Sequence, residues 1–249
     1  MPEIQTPAGK VFYRDEGEGT PMVLVHGNFG SSAWWKPLLG KIPDHRTVAL
    51  DLPCFGKSEK PETDHMIPNY SGYLEDFLTE MGIDDFHLVG HSLGGAIALQ
   101  YALDHPQKVK KLILVDPSPP DGLSFSLFQK FLYKIVKKSD RIIKRYFSDI
   151  VSENHPLYDE LWEDATKMKK SAVDGHVKAL EEFDVTERLE ELEPSLYVIR
   201  GENDSIIGED DLEVYKDYGR YENMGDTGHA PFVDAPEKFI DLLEEILSG

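Results

Sequence analysis

The sequence predicts an α/β protein built on a doubly wound, mostly parallel sheet. Two observations carry that expectation. Five short apolar blocks recur along the 249 residues: MVLVHG (22–27), TVALDL (47–52), FHLVG (86–90), KLILVD (111–116) and SLYVIRG (195–201). Each is continuous rather than alternating, as in a strand covered on both faces. Helix-length stretches separate them, and strands alternating with helices wind a sheet on both sides. A hydrophobic content of 40% over this length suits one sizeable core.

The elements follow in order. GKVFYRDEGEGTPMVLV (9–25) places glycine-rich turn chemistry between two runs, which predicts an antiparallel hairpin at the sheet edge. SSAWWKPLLGKI predicts a helix capped by Ser31 or Ser32. IPNYSGYLEDFLTEMG (67–82) sets Tyr70, Tyr73, Leu74, Phe77, Leu78 and Met81 on one helical face and stops at Gly82. GGAIALQYALDHP (94–106) is a helix of small residues ending before Pro106, RYENMG (220–225) is the last strand, and APEKFIDLLEEILSG (235–249) is a closing amphipathic helix. From about residue 118 to 190 the rhythm breaks into helical patterns alone. The expected organisation is a core of 1–117 and 191–249 with a helical cap, 118–190, over the carboxyl ends of the strands, where open α/β sheets bind ligands.

Composition excludes some classes. A formal charge of −20 repels phosphates and argues against nucleic acid. No apolar run is long enough for a membrane span, and MPEIQTPAGK lacks a charged start followed by an apolar run, so no signal peptide is expected. A single cysteine, Cys54, allows no disulfide within the chain, so a cytoplasmic setting is the default. Neither His-Glu-x-x-His nor paired-cysteine spacing occurs, and no metal or other cofactor is expected.

The chemistry centres on Gly90-His91-Ser92-Leu93-Gly94, a G-x-S-x-G match between an expected strand and an expected helix. A serine lifted clear of a sheet must sit on a sharp turn, and Gly90 and Gly94 remove side chains that would collide beside it. The hydroxyl needs a base. His229, in the glycine-bearing loop GDTGHAPFVD before the final helix, is best placed. His91 adjoins the serine, but neighbouring side chains at such a turn point apart. His26 is read as a structural hydrogen-bonding residue. An acid must then hold the imidazole. Asp204 follows the penultimate strand and completes the chain order Ser, Asp, His; Asp116, also beyond a strand, is its rival. The oxyanion of an acyl transfer needs backbone donors. Leu93 N–H is one. Asn28 or Phe29 supplies the other, with Asn28 preferred because it directly follows His26-Gly27.

Taken together, LVHGNFGSSAWW, LDLPCFGKSEKP, LVGHSLGGAIALQYALDHPQKVKKLILVDPSP, VIRGENDSI and GHAPFVDAPEKF resemble the capped serine hydrolases of the α/β-hydrolase fold. The resemblance runs nearly end to end. It implies catalytic Ser92, Asp204 and His229, an oxyanion hole from the amides of Asn28 and Leu93, and a carboxylesterase acting on small to medium acyl esters. Thioesterase and carbon–carbon hydrolase chemistry use the same triad, and some members of the fold are ligand receptors. Relatives that open epoxides or remove halogens carry aspartate where this chain has Ser92. Proline-peptidase relatives carry Gly-Gly-Pro-Gly where this chain has GNFG.

Other features are set beside their plainer explanations. DLPCFGKS (51–58) ends like a phosphate-binding loop but has Asp51 where that loop needs glycine. Cys54 in it reads as a small, partly buried side chain. Phe29 and Trp34, and Phe128 and Phe131 in the cap, are the pocket candidates, although Trp34 and Trp35, at the start of a helix, read first as core or rim. The segment 127–147 carries a local excess of six positive charges, with apolar residues at helical spacing. It reads first as a cap helix with its lysines in water, and otherwise as a weak contact with an anionic membrane surface.

Overall fold

The valine- and leucine-rich blocks become inner strands of one eight-stranded sheet in the computed structural model, which describes residues 2–124, 144, 147, 148 and 150–249. The strands are β1 (Glu3–Thr6), β2 (Gly9–Gly17), β3 (Thr20–Val25), β4 (His45–Leu50), β5 (Phe86–His91), β6 (Val109–Val115), β7 (Ser195–Arg200) and β8 (Gly219–Asn223). Their order is β1-β2-β4-β3-β5-β6-β7-β8. β2 runs antiparallel to both neighbours, and every other pair is parallel. All six residues of β5 are buried, as are Met22–Val25 of β3, which is why neither block alternates.

The expected hairpin over 9–25 is not formed. β2 pairs with β1 and β4, and β4 lies between β2 and β3. The turn at Gly17 and Gly19 carries the chain past the start of β4. Both residues have positive φ, and a Cβ on Gly19 would lie 2.1 Å from the Asp44 carbonyl oxygen. The helix expected from SSAWWKPLLGKI is also shorter. It is a 3-10 turn, Ser32–Trp35, with Ser31 Oγ accepting from Ala33 N–H. Pro37 has no N–H with which to extend the ladder.

Six helices are described: α1 (Ile67–Met81), α2 (Leu93–Asp104), α3 (Tyr158–Thr166), α4 (Lys170–Glu182), α5 (Pro231–Asp234) and α6 (Pro236–Ser248). α1 buries Tyr70, Leu74, Phe77 and Leu78 and ends at Gly82 in the left-handed conformation. Among the described residues, no helix is long and apolar enough to cross a membrane.

Between β6 and β7 the described chain is helical. Its α3 and α4 stand on the loops that follow β3 and β4. Glu160 takes both Arg14 and Lys36, Ser31 Oγ donates to Asp164 at 2.9 Å, and Lys169 N–H donates to the Cys54 carbonyl at 2.8 Å. Phe128, Phe131 and most of 127–147 lie outside the described residues. Of that segment, Phe147 is buried against Trp34, Tyr158 and Trp162, and Lys144 is exposed over the Tyr158 ring.

Candidate active site

Ser92 occupies the turn between β5 and α2 with φ 55° and ψ −119°, a conformation costly for any side chain. Its glycine neighbours make the turn possible. A Cβ on Gly90 would lie 2.4 Å from the Gly94 carbonyl oxygen, and one on Gly94 2.4 Å from that of Val25. The elbow therefore packs backbone on backbone, and Ser92 lines a cavity of about 580 Å³.

Asn28 and Leu93 line the same cavity. Among the described residues, neither backbone N–H has a hydrogen-bond partner. Leu93 opens α2, so the helix dipole adds positive potential there. Phe29 N–H is already used, donating to Asn28 Oδ1 at 3.1 Å. Of the two donors expected from this loop, the unpartnered one is Asn28. His26 holds the loop from below: it accepts Leu52 N–H at Nε2 (3.1 Å), which leaves Nδ1–H to donate to the Gly27 carbonyl (2.8 Å). That is the structural role expected of it.

His229 and Asp204 meet. Nδ1 of His229 lies 2.7 Å from Asp204 Oδ2, and both side chains are buried. Asp204 Oδ1 accepts the N–H groups of Ile206 (2.7 Å) and Ile207 (3.2 Å). Burial alone pushes this carboxyl upward, but the His229 contact and the two amides outweigh it and hold its pKa below the ordinary value. A carboxylate fixed in this way keeps the imidazole proton on Nδ1 and leaves the lone pair on Nε2. Among the described residues, neither Nε2 of His229 nor the Ser92 hydroxyl has a hydrogen-bond partner. Such contacts often tighten only when substrate is bound.

Asp116 stands behind this pair. It is fully buried at the end of β6, and its carboxylate accepts Gly201 N–H at 3.0 Å. Ligand-type atoms of Asp116, Asp204 and His229 all lie within 4.8 Å of one another. Burial, and then the charge of Asp204, pushes the Asp116 carboxyl well above the ordinary range.

The remaining expectations divide. Phe29 and Trp34 do not line the cavity. Trp34 is 2% exposed, with its ring among His91, Phe147 and Phe232, so the tryptophan pair builds core beneath the site. Cys54 is buried in the loop after β4, as expected. In that loop Asp51 accepts the N–H groups of Ser32 and Lys57, so the segment is tied by its own aspartate. Two residues went unrecognised in the sequence. His91 Nε2 donates to the His229 carbonyl at 2.7 Å and so anchors the loop carrying His229. His176 of α4 reaches Asn28 at 3.0 Å. No local pattern marks either, because each acts through a segment remote in the chain.

With the site at the carboxyl ends of β3, β5, β7 and β8, comparison with known proteins defines the class. A family model described as the alpha/beta hydrolase fold matches residues 20–236, and the chain belongs to that family. A pimeloyl-(acyl-carrier protein) methyl ester esterase of Pseudoalteromonas atlantica is 28% identical, covering 94% of this chain and 97% of its own. An uncharacterized protein of Mycobacterium tuberculosis is 38% identical over 104 residues, 41% of this chain and 30% of its own length. The match thus spans less than a third of that relative. Among solved structures, an esterase from Exiguobacterium antarcticum superposes with a TM-score of 0.88 over 99% of both chains at 22% identity, a likeness of fold.

Proposed function

We propose that this chain is a serine hydrolase, a carboxylesterase that cleaves esters of small to medium acyl groups. His229 Nε2 takes the Ser92 proton as Oγ attacks the ester carbonyl. The oxyanion that forms is held by the amides of Leu93 and Asn28, and Asp204 stabilises the imidazolium. Collapse returns that proton to the departing alcohol and leaves an acyl group on Ser92. Water, deprotonated by His229, then releases the carboxylic acid. No cofactor enters these steps.

The observation that carries this reading is one shared cavity. Ser92, Asn28 and Leu93 line it together, and among the described residues the backbone amides of Asn28 and Leu93 have no partner. Apolar Leu123, Leu180 and Ile207 offer room for an acyl chain, while Asp121, Asp210 and Asp211 disfavour a substrate carrying its own carboxylate. Two of the relatives are named as esterases.

A panel of p-nitrophenyl esters of graded length, matched thioesters and a diketone, run on wild type and Ser92→Ala, tests the proposal. Ester turnover lost in Ser92→Ala supports it. Turnover confined to thioesters, or to the carbon–carbon substrate, would transfer the triad to that bond. No turnover on any substrate would overturn catalysis and leave the ligand-receptor alternative.

A further inference from the structure

A chain of polar side chains runs from the helical insertion to the oxyanion loop. His176 of α4 is wholly buried, with Nδ1 3.0 Å from Asn28 Oδ1 and Nε2 3.0 Å from the Tyr70 hydroxyl. The Tyr70 hydroxyl is also 3.0 Å from His65 Nδ1, and His65 Nε2 is 3.0 Å from Ser171 Oγ at the start of α4. Phe55 stacks on the His176 ring at 5.0 Å. Gly175 lets His65 come close, since a Cβ there would lie 2.5 Å from that of His65.

The direction of every bond is dictated from one end. Phe29 N–H can only donate, so the Asn28 atom receiving it is the carbonyl oxygen. That oxygen can only accept from His176, so His176 carries its hydrogen on Nδ1. Burial, reinforced by His65 and His26, keeps His176 neutral at neutral pH. Its Nε2 therefore has a lone pair, and Tyr70 donates to it. The Tyr70 oxygen then accepts from His65 Nδ1–H, and His65, also held neutral chiefly by burial, accepts the Ser171 hydroxyl at Nε2. One hydrogen-bond order satisfies all five side chains.

The chain ends where the oxyanion donor is set. Phe29 has φ 57°, a strained conformation for an aromatic residue, and its N–H is held by the Asn28 side chain. We propose that His176 is a positioning residue of the oxyanion hole. Its Nδ1–H fixes the Asn28 side chain, which holds the Phe29 turn and aims the Asn28 backbone N–H into the cavity. This rests on the role proposed above for Asn28. It makes α4 part of the catalytic apparatus rather than a passive cover.

Two substitutions separate the two ring nitrogens. His176→Asn keeps a donor near Nδ1, toward Asn28, while His176→Gln places one near Nε2, toward Tyr70. His176→Gln should lower kcat on a p-nitrophenyl ester by about 10- to 100-fold with KM little changed, short of the full loss of an oxyanion donor. His176→Asn should stay within about 5-fold of wild type although it leaves the larger void. Hydrogen exchange at the Phe29 amide, followed by NMR, gives a readout that needs no turnover. It should quicken in His176→Gln and stay near wild type in His176→Asn. Equal kcat and equal Phe29 exchange in the two variants, whatever their melting temperatures, would reduce His176 to a packing role and overturn the proposal. A wild type inactive on every ester would instead sink the esterase reading, and the exchange comparison would still decide this one.

Discussion

His229 Nδ1 and Asp204 Oδ2 stand 2.7 Å apart in a buried site, although 25 residues separate them in the chain. In the proposed mechanism Asp204 is the acid that orients the base. Asp204→Asn should lower kcat by about 10⁴-fold, because an amide no longer enforces the proton on Nδ1. Asp116→Asn should cost less than about 10-fold, since the carboxyl bonded to His229 is that of Asp204 and an amide is close in shape to the group it replaces. Steady-state kinetics on a single ester measures both. Equal losses would mean that the two carboxyls share the role.

Asp116 also makes a prediction about stability. Its pKa is raised in the folded state, chiefly by burial. Between the unfolded value and the raised folded value, the native state keeps a proton that the unfolded chain has released, so stability falls as pH rises through that window. Asp116→Asn removes this contribution. The variant should gain melting temperature relative to wild type as pH goes from about 4 to 7, the direction set by linkage. A difference that stays flat with pH would contradict it.

The elbow carries strain that glycine would relieve. Ser92→Gly abolishes the proposed nucleophile and removes a side chain held at φ 55°. Relief of this sparsely populated, positive-φ conformation is worth about 1–3 kcal/mol, partly offset by the entropy of glycine. Differential scanning calorimetry should show the inactive variant melting at or above wild type. A clear drop would mean that the hydroxyl has a structural partner.

Cys54 offers the control for the nucleophile. Its side chain is buried, and burial raises the thiol above its ordinary pKa despite Lys169 and Lys60. Cys54→Ala should keep kcat/KM within about 2-fold, and the native thiol should react slowly with a disulfide reagent at pH 8. Loss of activity with the fold intact would bring Cys54 into the mechanism.

Much of this arrangement was legible in the sequence because local packing dictates residue type. Gly90 and Gly94 stand where backbone meets backbone, and that need is written as G-x-S-x-G. The inner strands announce themselves as unbroken apolar runs. What depends on chain paths was not legible. The Gly17–Gly19 turn reads like a hairpin, yet β4 lies between β2 and β3. Asp116 looks like any acid beyond a strand, and only burial beside Asp204 raises its pKa. His176 is an ordinary residue of an amphipathic helix until α4 folds back on the loop after β3 and brings it to Asn28.

The central claim is that Ser92 is a nucleophile activated by His229. A fluorophosphonate probe, followed by peptide mass spectrometry on wild type, Ser92→Ala and His229→Ala, tests it most directly. The account predicts one covalent adduct on the peptide containing Ser92 in wild type, none in Ser92→Ala, and labelling slowed at least about 100-fold in His229→Ala, the scale of general-base assistance. An adduct on another residue, or labelling of Ser92 at the same rate without the imidazole, would contradict it.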